Sequence, residues 1–108
     1  MVSIKRRREA VFRAIADPTR RQVLDLLRNG TMTVGEIAGK FKTSRPAVSK
    51  HLRMLRGAGL IVTHRAGTTR VCELNPTPLR AVDAWLSDYA LFWTDKLHAL
   101  KRYAEEKS

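Results

Sequence analysis

The chain has 108 residues, of which 44% are apolar and 29% are charged, a composition typical of one globular domain and not of a disordered tail. Lysine and arginine outnumber aspartate and glutamate by 21 to 10, and the resulting net charge of +11 favours polyanionic partners, either nucleic acid or an anionic membrane surface. The single cysteine excludes an intrachain disulfide framework, and no apolar run reaches the length of a membrane span. We therefore expect a cytoplasmic protein.

The basic charge is concentrated in one part of the sequence. Residues 37–72 contain no aspartate or glutamate, and their basic side chains are Lys40, Lys42, Arg45, Lys50, Arg53, Arg56, Arg65 and Arg70. Residues 76–108 hold equal numbers of basic and acidic residues. Solvated basic surfaces usually carry interspersed acids. The middle of the chain is therefore predicted to bind phosphates, and the C-terminal third to do something else.

Two helices are predicted before residue 30. Apolar residues near helical spacing indicate a first helix that ends near Ala16. Asp17 and Pro18 form a restart signal, with aspartate as the N-cap and proline at the first helical position. Asn29 and Gly30 end the second helix.

A helix-turn-helix is predicted over residues 33–57. Thr33 and Glu36 form a capping box for a short third helix, and Ser44 caps a fourth helix that is apolar on one face and basic on the other. Two strands over residues 60–65 and 68–74 follow, joined at Ala66-Gly67, so that residues 60–74 form a hairpin wing.

The last predicted element is one helix over residues 76–105. Its apolar residues recur at steps of three, four and seven, and they exceed what a domain of four helices needs to cover its core. The helix could fold back on its own domain; we favour a homodimer seam, shared with residues 1–16. The predicted interface residues are Val11, Ile15, Leu79, Val82, Leu86, Tyr89, Trp93, Leu97 and Leu100.

The predicted fold is therefore a single winged helix-turn-helix domain over residues 1–108. It is mostly α with a small β-hairpin, in the order α-α-α-α-β-β-α, and it is homodimeric. Such a dimer places two recognition helices in successive major grooves, about 34 Å apart.

The predicted DNA contacts lie on the fourth helix and on the wing. Arg45 can pair with guanine, Ser49 with several bases, and His51 either contacts a phosphate or packs locally between helices. Arg65 and Arg70 can enter a minor groove or contact its phosphates. The full predicted set is Thr43, Ser44, Arg45, Pro46, Ser49, Lys50, His51, Arg53, Arg65, Thr68, Thr69 and Arg70.

These elements resemble the ArsR/SmtB family of winged helix-turn-helix repressors across nearly the whole chain. The matching segments are Asp17-Pro-Thr-Arg20, Val23-Leu-Asp-Leu-Leu27, Glu36-Ile-Ala38, Ser44-Arg-Pro-Ala-Val-Ser-Lys-His-Leu52 and Ala58-Gly-Leu-Ile-Val62. The resemblance implies a dimer made by the first and last helices. It also implies an operator with inverted-repeat symmetry and, commonly, control of the gene's own operon.

The sequence departs from the metal-sensing members of that family. The third helix has no cysteine or histidine, and Asp95 and His98 of the last helix are followed by Lys101 and Arg102, whose charges oppose metal binding. We expect no metal and no cofactor. Cys72 is predicted to be a small, half-buried apolar residue and not a redox sensor.

The sequence thus predicts a sequence-specific regulator of transcription that binds double-stranded DNA as a dimer and represses. Two alternatives are a metal- or thiol-responsive repressor of the same fold and a sequence-neutral architectural protein. An enzyme has little support, because no nucleophile, base and orienting partner recur at a usable spacing. The basic residues 5–8 lack the flanking apolar face of a membrane anchor, which favours an auxiliary DNA-contacting or solvated arm.

Overall fold

A computed structural model describes residues 3–107 of the protein. Within that range the elements are, in chain order, α1 (Ile4–Ile15), α2 (Pro18–Leu27), β1 (Met32–Thr33), α3 (Val34–Ala38), α4 (Arg45–Gly57), β2 (Ile61–Ala66), β3 (Thr69–Leu74), a 3₁₀ turn (Thr77–Leu79), α5 (Arg80–Ser87) and α6 (Ala90–Lys107). The three strands form one antiparallel sheet in the order β1-β3-β2.

Side-chain caps fix where the first four helices begin. The side chains of Ser3, Asp17, Thr33 and Ser44 each accept a hydrogen bond from the backbone N–H three residues later. Thr33 and Glu36 complete the predicted capping box, because the Glu36 carboxylate accepts from the Thr33 N–H at 2.9 Å. The caps predicted at Asp17, Thr33 and Ser44 are therefore confirmed.

One apolar core connects the helices to the sheet. Its largest fully buried side chains are Val23, Ile37, Val48, Leu52, Leu55, Leu60 and Cys72. Val48, Leu52 and Leu55 come from one face of α4, so burial of that face turns the opposite, basic face of the helix outward.

The sheet differs from the prediction in two details. The two-residue strand β1 was not predicted, and it pairs with the wing through Met32 opposite Cys72 and Thr33 opposite Val71. The hairpin turn is Gly67-Thr68 and not Ala66-Gly67, because Ala66 still pairs with Thr69. Gly67 has a φ of +68°, as the first position of a type II′ turn requires, which fixes the register one residue later than expected.

The prediction of a single C-terminal helix over residues 76–105 is wrong, because the structure divides this segment into a 3₁₀ turn and two helices. A 3₁₀ turn and α5 come first, and the helix then breaks at Asp88 and Tyr89. There the backbone N–H groups donate to carbonyls three residues back, Asp88 to Trp85 and Tyr89 to Leu86, instead of four. The break falls where the chain leaves the core, since α5 packs against α1, whereas the main contact of α6 is with α5.

Helix α6 projects from the rest of the molecule. The radius of gyration is 18.8 Å and the longest dimension is 65 Å, whereas a compact chain of this length has a radius of gyration of about 13 Å. Trp93, Leu97 and Leu100 on α6 are 54%, 65% and 64% exposed. Among the described residues, no helix is long and apolar enough to cross a membrane.

Candidate nucleic-acid interface

Helix α4 presents a basic face to solvent. Arg45, Lys50 and Arg53 are exposed, and Ser49 is half-buried between them. Ser44 caps the helix by accepting from the Ala47 N–H at 3.3 Å, which leaves other N–H groups of the first turn directed outward. An anion can bind at such a helix start.

The wing places two more arginines on the side of the sheet that faces α4. Ile61 and Cys72 are buried in the core, and in a strand every second residue points to the same face. Arg65 and Arg70 therefore share the face of Ile61 and Cys72, and they lie directly opposite each other in the ladder. Like charges opposite one another destabilise a hairpin, so Arg65 and Arg70 do not stabilise the wing. Their position instead favours a role in binding an anionic partner.

A cleft of about 640 Å³ lies between α4 and the wing; we call it the wing cleft. Its lining residues are Thr33, Val34, Gly35, Arg45, Ser49, Leu52, Arg53, Arg56, Arg65, Thr68, Thr69 and Arg70. Five of these are arginines and none is acidic. The tertiary structure thus joins the acid-free segments of α4 and the wing into one continuous positive surface.

The predicted DNA-contact residues divide into two groups. Those that line the wing cleft are Arg45, Ser49, Arg53, Arg65, Thr68, Thr69 and Arg70. Those outside it are Thr43, Ser44, Pro46, Lys50 and His51, of which the first four are exposed at or near the start of α4. Arg56 also lines the cleft. It lies in the acid-free window predicted to bind phosphates, three residues after Arg53, but was not among the predicted DNA contacts.

His51 is directed towards helix α2. Its Nδ1 lies 3.3 Å from Nη1 of Arg20 and 3.8 Å from a carboxylate oxygen of Asp17. A guanidinium has no acceptor, so the contact with Arg20 is a hydrogen bond only when Nδ1 carries no proton, whereas a protonated ring is attracted to the Asp17 carboxylate instead. Of the two interpretations of His51, the structure thus supports local packing; a DNA contact through Nε2 stays a prediction.

Arg20 links three helices. Its Nε donates to the Ala14 carbonyl at 2.7 Å and its Nη2 to the Arg13 carbonyl at 3.0 Å, which satisfies the C-terminal end of α1. Through Nη1 it also contacts His51 on α4. Arg20 therefore sets the position of α4 relative to α1, a role that sequence reasoning did not assign.

Asp17 completes this junction. Its carboxylate accepts from the Arg20 backbone N–H at 3.0 Å. That hydrogen bond, with smaller contributions from the charges of His51 and Arg20, lowers the pKa of Asp17 below its ordinary value of 3.8 despite opposing desolvation.

Cys72 is fully buried, and not half-buried as predicted. Burial raises the pKa of its thiol, and the positive charge of Arg56 opposes that change. A buried thiol with a raised pKa is a poor nucleophile, which supports a packing role.

The predicted dimer-interface residues also divide into two groups. Val11 is 3% exposed in the core of its own domain, so its assignment to a dimer interface is corrected. Ile15, Leu79 and Val82 are partly buried against the same core. The residues that remain substantially exposed are Leu86, Tyr89, Trp93, Leu97 and Leu100.

Across residues 3–107 no group of three or more histidine, cysteine, aspartate or glutamate side chains is placed to hold a metal ion. Asp95 and His98 lie on α6, and Cys72 lies in the core. Asp95 and His98 are thus neighbours three positions apart on one helix, and no third ligand-type side chain among the described residues joins them.

A capped helix-turn-helix followed by a basic hairpin wing defines a winged helix-turn-helix DNA-binding protein. Comparison with known proteins agrees with that class. Residues 17–63 match the bacterial regulatory protein, arsR family. The transcriptional repressor SdpR of Bacillus subtilis is 46% identical over 73% of this chain and 88% of its own length. The HTH-type transcriptional regulator Rv2034 of Mycobacterium tuberculosis is 41% identical over 96% of this chain and 92% of its own.

Solved structures show the same fold. The crystal structure of an ArsR family transcriptional regulator superposes with a TM-score of 0.76 at 38% identity, covering 87% of this chain and 97% of that one. A homodimeric winged helix-turn-helix DNA-binding domain from Mycobacterium bovis gives a TM-score of 0.66 at 27% identity, covering 82% and 84%. The chain belongs to the arsR family of DNA-binding transcriptional regulators, and it is not an enzyme.

Proposed function

We propose that the protein binds an inverted-repeat operator as a homodimer and represses transcription by occupying it. The observation that carries this proposal is the wing cleft, in which five arginines and no acid line a surface that runs from α4 to the hairpin tip. Phosphates along one groove wall would neutralise the charges that the free protein leaves uncompensated.

Helix α4 is the element that reads bases in this proposal. Arg45 is its first residue and Ser49 lies one turn later on the same face, so both can reach base edges when the N-terminal half of α4 enters a major groove. Lys50 and Arg53 flank that row and can reach either bases or phosphates. Thr43, Ser44 and Pro46 surround the helix start, where a phosphate would approach the backbone N–H groups.

The wing contributes register and affinity. Arg65 and Arg70 flank the two-residue turn of the hairpin, and Thr68 and Thr69 lie at its tip. This tip would enter a neighbouring minor groove or contact the phosphates along that groove. Either arrangement would bring a phosphate between Arg65 and Arg70, which otherwise repel each other.

Dimerisation through α5 and α6 explains the projecting C-terminal helix. Trp93, Leu97 and Leu100 lie exposed on one face of α6. In a two-fold symmetric dimer, this face of each subunit would be covered by the same face of the other. The equal numbers of acids and bases in residues 76–108 avoid repulsion between two basic subunits. The homodimeric neighbour from Mycobacterium bovis supports this assembly.

A regulator of this kind acts on the chromosome, in the cytoplasm. We further propose that it does not respond to a metal, because Lys101 and Arg102 adjoin Asp95 and His98, its nearest candidate ligand pair. Titration with zinc, cadmium or arsenite should then leave operator affinity unchanged. A metal-dependent loss of affinity would instead establish the metal-responsive alternative.

The specificity of α4 is tested on an operator selected from random DNA. Arg45→Ala should weaken binding to that operator by about 1–3 kcal/mol and relax the preference at one base pair, measured by fluorescence anisotropy at fixed salt. Arg28→Ala is the matched control, since it removes the same charge outside the wing cleft. An equal loss on random DNA would show that Arg45 contacts phosphates alone, and no preference for any selected site would establish the sequence-neutral alternative.

The dimer is tested with two substitutions on α6. Trp93→Glu should yield monomers by light scattering and abolish tight operator binding, because it places a charge in the apolar seam. Leu91→Glu is the control: Leu91 is 75% exposed, and it lies two positions away on the charged side of the helix. A dimeric Trp93→Glu protein would refute the seam.

A further inference from the structure

A second cleft lies at the end of α4 that is remote from Arg45. It is formed by the N-terminal half of α1, the C-terminal end of α4 and the 3₁₀ turn, and we call it the α1 cleft. Its volume of about 550 Å³ lies within the range of small-molecule sites, about 300–1,000 Å³. Neither the DNA contacts nor the exposed face of α6 uses it.

The floor of the α1 cleft is apolar and open. It includes Val11, Pro78 and Ala81, together with the backbone of Gly57 and Gly59. A Cβ atom built on Gly57 would meet nothing within 4 Å, so there is open space beside this residue at the end of α4. The φ of Gly57 is not positive, so the backbone conformation does not require a glycine there. Gly59 has a φ of +76° and turns the chain towards β2, with Pro78 packed beneath it.

The rim of the cleft is fixed by a side-chain amide. Asn75 Nδ2 donates to the Gly59 carbonyl at 3.0 Å, and its Oδ1 accepts from the Thr77 N–H at 3.3 Å. These bonds link the end of α4 to the start of the 3₁₀ turn. Helix α1, which lines the other side of the cleft, takes no part in them.

Arg6, Arg7 and Arg8 of α1 all line the cleft, although successive helix residues point about 100° apart and Arg8 also lines a neighbouring cleft with Phe12. No acidic residue lines the cleft, and within residues 3–107 none of the three forms an ion pair. They also lie in the first two turns of α1, where the helix dipole disfavours positive charge and the first turn holds no acid. These charges destabilise the free helix, and a bound anion would compensate them.

We propose that the α1 cleft binds a small amphipathic anion, with a carboxylate at the arginines and a flat apolar body on Gly57, Gly59 and Pro78. A DNA phosphate fits the site less well, because deoxyribose offers only a small apolar surface for this floor. The cleft also lies about 18 Å along α4 from Arg45, at 1.5 Å per residue.

Occupancy of this cleft would affect DNA binding, a consequence that rests on the function proposed above. The cleft walls belong to α4, which reads DNA, and to the turn that leads into α5 and α6, which pair the subunits. A ligand that contacts α1 and the end of α4 together favours one arrangement of these two helices, and α1 also packs against α5. The ligand therefore acts as an effector of operator affinity.

The probe for this site is 2-naphthoate, with the uncharged 2-naphthamide as its matched compound. Two-dimensional ¹H–¹⁵N NMR of the full chain without DNA should show 2-naphthoate shifting the amides of Gly57, Gly59 and Asn75. Gly57→Met, which fills the cleft, and Arg7→Gln, which removes one charge, should each weaken binding about tenfold. Arg13→Gln removes a charge from the same helix outside the cleft and should leave the affinity within about twofold.

Three results would overturn the proposal. The first is equal binding of 2-naphthamide, which would show that the arginines do not select an anion. The second is a set of shifts confined to α6, which would place the probe on the exposed apolar face. The third is a monomeric Gly57→Met protein, since that would mean that a second copy fills the cleft. Operator binding is measured separately, so a failure of DNA recognition is distinguishable from a failure of ligand binding.

Discussion

Replacement of Arg20 tests whether the junction of α1, α2 and α4 holds the DNA-reading helix in place. Arg20→Gln removes the guanidinium that donates to the Ala14 and Arg13 carbonyls and contacts His51. The Ala14 carbonyl then loses its donor, because Pro18 offers no N–H four residues later, while the Arg13 carbonyl keeps the Ala16 N–H at 3.3 Å.

The magnitude follows from the lengths of these contacts. A hydrogen bond to a charged group contributes about 1.5–3 kcal/mol when well buried. Two of the three bonds are short, at 2.7 and 3.0 Å, and the third is 3.3 Å. Arg20 is half-buried, and water can reach the freed carbonyls, so we take the low end of that range as an upper limit for each of the two short bonds and expect a total loss of about 2–3 kcal/mol. Against a typical domain stability of about 5–15 kcal/mol, that loss is large.

Urea unfolding at one fixed protein concentration measures the loss, because the stability of a dimer depends on concentration. Arg20→Lys should recover at most one bond, since an ammonium lacks the planar fork that spans two carbonyls. Arg28→Gln serves as the control, because its side chain forms none of these contacts. A loss below about 0.5 kcal/mol for Arg20→Gln, or native stability for Arg20→Lys, would refute the role assigned to Arg20.

Three further predictions concern the wing, the α2 cap and the buried thiol. Arg70→Gln should reduce the slope of log Kobs against log salt concentration by about 1 on random DNA. The hairpin should not be destabilised, because Arg65 loses a like-charged neighbour. An unchanged slope would show that Arg70 does not contact DNA phosphates. Asp17→Asn keeps an N-cap but loses a carboxylate whose pKa is lowered by folding. In the wild-type protein, the Asp17 carboxylate stabilises the fold above the ordinary pKa of 3.8, and this stabilisation is lost as the pH falls through the lowered pKa of the folded state. Asp17→Asn should therefore lose less stability than the wild type when the protein is unfolded by acid. Identical acid unfolding curves for the two proteins would contradict this. Cys72 should not react with a thiol reagent at neutral pH until the protein is unfolded, and rapid reaction of the native protein would disprove its burial.

Sequence reasoning succeeded where a local interaction decides the outcome. Asp17, Thr33 and Ser44 cap helices by bonding to residues three positions away, so a window of four residues contains the whole interaction. The amphipathic pattern of α4 likewise follows from its own periodicity. Even so, the hairpin turn was misplaced by one residue, because cross-strand pairing fixes the register around Gly67.

The C-terminal segment shows where periodicity was insufficient. The apolar stripe from Leu79 to Leu100 reads as one helix, and neither glycine nor proline marks the break at Asp88 and Tyr89. The first part of the stripe packs on its own core, whereas Trp93, Leu97 and Leu100 on α6 stay more than half exposed. The surface that each apolar residue covers depends on how far the helix lies from the neighbouring elements. The spacing of apolar residues along one helix carries no information about those distances.

The sequence by itself thus determined the order of the principal helices, the caps, the basic face of α4 and the family of regulators to which the chain belongs. The tertiary structure decided that Arg56 joins the wing cleft, that His51 and Arg20 meet between helices, and that Val11 belongs to the core. The physical reason is the range of the interactions: caps and amphipathic faces act within a few residues. Clefts and junctions arise when side chains far apart in sequence, such as Arg20 and His51, are brought within hydrogen-bonding distance by packing of the core.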